Sequence, residues 1–202
     1  MHDNMNLAQA FAVAAAETTA KSRVRMSRKY WEIYVTGAVM IEMFAEGSLL
    51  RPDNGRLTIA ETIPPLPPCK ALIAETLRTA RKPKPFKAWI KYFYSRTRLR
   101  REIVRETVRE LLENGALRLE PAKVLWLFNI EVYTADSAAK DRIIQRLRAE
   151  MLEPGRVDEQ TAILAMLLDA SKRLKRYFSA YEHNEWKSKL SRLHDEQGEE
   201  WK

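Results

Sequence analysis

Arg101, Arg105 and Arg109 recur at four-residue intervals, on the opposite side of a helical pattern from an apolar set of Ile103, Val104, Thr107, Val108, Leu111 and Leu112. Residues four apart are neighbours on a helix, so the three guanidinium groups line one face. Cations in a row suit anions, because charge-assisted two-pronged contacts position a phosphate when two or more of them converge. Glu102, Glu106 and Glu110 are interleaved with them and are expected to pair with the arginines. From Arg78 to Arg109 there are twelve Lys/Arg against two Glu, a net of +10 that exceeds the whole chain's +8. The basicity therefore belongs to one region, and it points to an anionic partner, lipid phosphate or nucleic acid.

Nothing in the chain resembles a catalytic constellation. There is no glycine-rich phosphate loop, no Gly-x-Ser-x-Gly and no His-Glu-x-x-His. His2, His183 and His194 fall in expected tail segments, and no third ligand completes a His183/His194 pair. Glu42, set in an apolar stretch, reads as a carboxylate with a buried structural partner, a hairpin amide or an arginine. The single cysteine, Cys69, excludes an internal disulfide and a cysteine-based metal site, and it fits a reduced, cytoplasmic compartment. A non-enzymatic protein with no cofactor and no metal is the expectation. No run approaches the ~20 apolar residues that span a bilayer, and the amino-terminal residues lack a signal-peptide layout, so any membrane contact is peripheral.

The elements that must carry this chemistry are mostly helical. Leu7–Glu17, Tyr30–Glu46, Cys69–Ala80, Phe86–Tyr94, Leu99–Asn114, Ala138–Leu152 and Asp158–Phe178 have helical periodicity, with Tyr30 on the buried face of the second. Ile63–Pro68 and Lys82-Pro83-Lys84-Pro85 are stiff connectors. Two helices run into hairpins through Gly47 and Gly115, where glycine makes a left-handed cap without a Cβ clash. The first hairpin spans 49–61 around Pro52-Asp53-Asn54-Gly55; the second spans 116–133, with Glu120–Lys123 as its turn and Val124–Phe128 as an aromatic strand. The fold class is thus mainly α, a single helical domain over 1–181 with two inserted antiparallel β-hairpins. A charged tail or helix follows over 182–202.

The ordered words Gly37-Ala38-Val39-Met40-Ile41-Glu42-Met43, Glu46-Gly47-Ser48-Leu49, Asp53-Asn54-Gly55-Arg56-Leu57, Val108–Leu117 and Leu125-Trp126-Leu127-Phe128 resemble the Golgi phosphoprotein 3 family and its bacterial relatives. The resemblance covers about Leu7 to Phe178. It implies a peripheral membrane adaptor that binds anionic phospholipid headgroups, phosphatidylinositol 4-phosphate in eukaryotic members, together with protein clients. The family's pocket uses a Trp and an Arg on the helix before the first hairpin and two Arg on the helix before the second. Arg101 falls on the first of that later pair and Val104 on the second, while Thr36 and Ser27 stand at the earlier Arg and Trp. The resemblance therefore carries headgroup binding onto Arg101 alone of the four positions. Arg98 or Arg105, one turn away, is read as the second cation, and Trp31, about one turn beyond the family's position, as the aromatic with Arg28 beside it.

Two other readings stand beside this one. A winged-helix-like nucleic-acid binder would use 99–114 as recognition helix and the second hairpin as wing, although interleaved glutamates repel phosphate. A structural module would self-associate through the apolar 124–128 hairpin, giving a homo-oligomer.

Overall fold

The computed structural model describes residues 5–20, 26–124, 128–153, 155 and 157–196. Among these it has eight α-helices and two two-stranded antiparallel ribbons, so the chain is mainly α as expected. The chain forms two compact units, 1–136 and 137–202. The expected division lay at 181/182 instead.

The first unit is built around α1 (Leu7–Ala15), every residue of which is buried. A helix apolar on all sides belongs inside a core. Its alanines let α2 (Arg28–Ala45) and α5 (Thr97–Glu113) approach closely. Asn6 and Gln9 close a reciprocal capping box at its start. Two further hydrogen bonds tie it to its neighbours. Glu42 of α2 accepts the amide of Ala8 at 2.7 Å, and the Gln9 amide donates to the Thr107 carbonyl at 3.4 Å.

Glu42 also faces Lys70 at 3.2 Å, and Lys70 donates to Glu46 at 2.5 Å. Burial pushes the Glu42 carboxyl above its ordinary range, and the Ala8 amide and Lys70 only partly offset this. The expectation of a buried structural carboxylate holds. Its partners are a helix amide and a lysine, where a hairpin amide or an arginine was expected.

α3 (Pro68–Arg78) and α4 (Phe86–Ser95) follow the two proline connectors. The second connector is pinned to the first hairpin, since the Leu57 amide donates to the Lys84 carbonyl at 2.9 Å and Arg56 bridges Pro85. That first hairpin is short: β1 (Leu49–Leu50) pairs with β2 (Thr58–Ile59). Gly47 and Gly115 both take left-handed backbone, with φ of 70° and 77°, as helix exits require.

The second hairpin differs from its expected register. β3 (Leu117–Val124) pairs with β4 (Phe128–Ala135), so Glu120–Lys123 are strand and Val124 lies opposite Phe128. Residues 125–127, the middle of the expected aromatic strand and of the self-association surface, lie outside the described residues. Pro121, read as turn chemistry, sits opposite Glu131 in the ladder. A two-stranded ribbon has a free edge on each strand, where a missing N–H costs nothing.

The second unit contains α6 (Ser137–Leu152), α7 (Glu159–Ala170) and α8 (Ala180–Glu196). The expected continuous helix over 158–178 stops at Ala170. Lys172 adopts positive φ of 60°, and a 3-10 turn over Leu174–Arg176 redirects the chain. The charged carboxy-terminal segment folds as α8 on α6, with Trp186 fully buried. Lys189 donates to the carbonyls of Glu150 and Glu153 at the end of α6, as a basic group at a helix carboxy terminus should.

Candidate anion-binding face on the first unit

The site begins at a one-residue junction. Arg96 leaves helical geometry at φ −95° and ψ 75°, so α4 ends and α5 starts at once. Arg100 closes this corner from inside. One guanidinium nitrogen donates to the Phe93 and Tyr94 carbonyls at 3.1 and 2.6 Å, satisfying the last turn of α4. Its Nε donates to Glu32 Oε2 at 3.0 Å, and both side chains are 2% exposed.

Glu32 is the meeting point of three arginines from two helices. Arg28, one turn earlier on α2, donates from Nε to Oε1 at 2.8 Å. Arg101 Nε stands 3.7 Å from the same oxygen. Arg28 also donates to the carbonyl and carboxylate of Glu131 on β4, both at 3.4 Å, and lies 5.4 Å over the Tyr133 ring. Burial alone would lower the Arg28 pKa; Glu32, Tyr133 and Glu131 reverse that and hold it above its ordinary value.

Outward from this node runs the expected row. Arg98 is exposed at the start of α5, and the side chains of Arg101, Arg105 and Arg109 are 57%, 66% and 54% exposed. Glu106 pairs with Arg105 at 3.5 Å and with Arg109 at 3.2 Å, as the interleaving suggested. Glu110 instead accepts from Gln9 at 3.3 Å. Arg98, Arg101 and Arg105 share one face of α5, and Arg28 meets Arg101 at Glu32.

Trp31 is not with them. It is buried, stacks on Tyr133 with ring centres 4.5 Å apart, and donates its indole N–H to the Ala12 carbonyl at 3.2 Å. Its role in the structure is to join α2 to α1 and β4. The exposed aromatic is its neighbour Tyr30, 54% exposed, which corrects the expectation that Tyr30 faces the core. The Tyr30 ring lies 6.0 Å from that of Tyr94, over which Lys29 Nζ sits at 3.7 Å.

The positions where the resemblance places pocket residues are otherwise occupied by structure. Ser27 caps α2, Thr36 is buried with its hydroxyl on the Glu32 carbonyl at 2.9 Å, and Val104 is buried. Sequence reasoning missed Glu32 and Arg100. A signal was present: Arg100 falls in the phase of Ile103, Thr107 and Leu111 on the buried side, and Glu32 follows Arg28 by four. Among the described residues no group of His, Cys, Asp and Glu could hold a metal ion, and no helix is long and apolar enough to cross a membrane.

No curated protein matches the chain. The model of the Golgi phosphoprotein 3 (GPP34) family matches residues 7–202, nearly the full length, which takes in both compact units and the charged carboxy-terminal helix. On that near-full-length match, the chain belongs to the Golgi phosphoprotein 3 family.

Proposed function

We propose that the protein is a non-enzymatic, cytoplasmic adaptor that attaches peripherally to membranes by binding anionic phospholipid headgroups, a class that includes phosphatidylinositol 4-phosphate. The observation that carries this reading is the row of exposed Arg98, Arg101 and Arg105 on one face of α5, in a family member with a +10 segment around it. Each basic side chain at an anionic leaflet contributes roughly 1 kcal/mol, so three or four give useful affinity where one does not. Tyr30, exposed beside Lys29 and Tyr94, supplies an amphipathic ring of the type that settles at headgroup depth.

Co-sedimentation with phosphatidylcholine vesicles, with and without phosphatidylserine or phosphatidylinositol 4-phosphate, tests this beside a duplex-DNA shift. The full chain is expected to pellet with anionic vesicles only. Arg101→Ala/Arg105→Ala is expected to weaken that binding about tenfold or more, two cations' worth. Undiminished binding by the double variant would remove α5 from the site. Tight DNA binding without lipid binding would replace the reading with the nucleic-acid one.

A further inference from the structure

A phosphomonoester headgroup is gripped where guanidinium groups converge and offer paired donors. In this chain the point of convergence between α2 and α5 is already filled by a carboxylate of its own. Glu32, buried at 2% side-chain exposure, takes Arg28 at 2.8 Å and Arg101 at 3.7 Å on one oxygen and Arg100 at 3.0 Å on the other. Arg100 is inaccessible and is also committed to two carbonyls. Arg28 is divided between Glu32 and Glu131.

What faces outward is Arg101 with Arg98 and Arg105 in steps of three and four along one helix, a line and not a cradle. A multiply charged monoester entering behind Arg101 would meet the Glu32 carboxylate and lose to it. A diffuse negative surface needs no such entry, because it acts on exposed cations over the screening distance.

We infer that Glu32 is a specificity-determining residue, which makes this protein read the negative charge density of a lipid surface instead of a phosphomonoester headgroup. The inference rests on the lipid-surface reading proposed above, which supplies the class of ligand; Glu32 decides how that class is sorted.

Vesicles carrying phosphatidylserine or phosphatidylinositol 4-phosphate, adjusted to equal zeta potential, provide the test, with inositol 1,4-bisphosphate as soluble competitor. The unmodified chain is expected to bind both within about twofold, since each exposed cation senses the same potential. The soluble competitor is expected not to displace it. Glu32→Gln is expected to shift preference toward the monoester by about tenfold, the worth of one freed charge-assisted contact.

Monoester preference by the unmodified chain at matched potential, or displacement by the soluble headgroup, overturns the inference whether or not any variant folds. Unchanged preference in a folded Glu32→Gln protein overturns it too. Should leaving Arg100 unpaired unfold that variant, Glu32→Gln/Arg100→Gln replaces the buried ions by amides and carries the same comparison. Failure of the unmodified chain to bind either vesicle defeats the lipid-surface reading itself, an outcome distinct from the others.

Discussion

Arg100 and Arg101 are adjacent in the chain and opposite in consequence. The helical phase turns Arg100 into the core beside Ile103 and leaves Arg101 outside. Arg100→Met removes a desolvated partner of Glu32 together with the donor that closes α4, so a loss of about 3–5 kcal/mol in urea unfolding is expected. Arg109→Ala, which breaks an exposed pair with Glu106, should change stability by less than about 1 kcal/mol in the same measurement.

Glu42 gives a prediction in pH. Its carboxyl is raised in the folded state, chiefly by burial, so folding favours its protonated form. Its contribution is therefore greatest below the unfolded carboxylate pKa and declines as pH rises through the folded one. The melting temperature of the unmodified protein minus that of Glu42→Gln should accordingly increase as pH falls from about 7 to about 5. A difference that is flat or decreasing over that window would contradict the assignment.

Among elements, those with strong periodicity and explicit punctuation were legible. α2, α5 and the glycine exits fall within one or two residues of expectation because apolar spacing and a cap residue agree there. The second hairpin was misplaced by its own proline, since a turn residue in sequence is also tolerable on a ribbon with a free edge. The break after Ala170 was invisible because Lys172, an ordinary residue, takes the left-handed conformation without a glycine to announce it. The site was legible as a basic row and illegible as a node: Glu32 and Arg100 are far apart in sequence, and no local pattern pairs them.

Two glycines test the backbone reasoning with opposite signs. Gly115 has open space around a would-be Cβ, so Gly115→Ala should cost only the left-handed penalty, about 1–2 kcal/mol. Gly37 lies inside α2, where a Cβ would stand 3.6 Å from Ile90, an ordinary contact. Gly37→Ala should be neutral or stabilise by up to about 1 kcal/mol. Chemical unfolding of both variants against the unmodified chain checks the contrast.

On the scale of the whole molecule, charge is distributed by region. The +10 carried by 78–109 leaves the remainder slightly acidic, so the attachment proposed above would be made through the first unit. The second unit holds its charges among its own helices, with Arg148 on Glu182 at 3.2 Å and Lys189 on the end of α6. Its core is anchored by Trp186 against Phe178.

A stretch with twelve basic side chains in thirty-two positions would ordinarily be an open target for trypsin-like proteases. Most of it is helical from Phe86 to Glu113, where the backbone is engaged in its own hydrogen bonds. The non-helical approach at 79–85 holds Arg81, Lys82 and Lys84, and there the proline connector has a second consequence. Pro83 and Pro85 follow the two lysines directly, making those peptide bonds poor substrates, while the Leu57–Lys84 hydrogen bond pins the backbone. Arg81 is thus the one basic residue of 79–85 that no proline follows, and limited trypsin treatment of the folded chain is expected to cut after it, ahead of the basic helices.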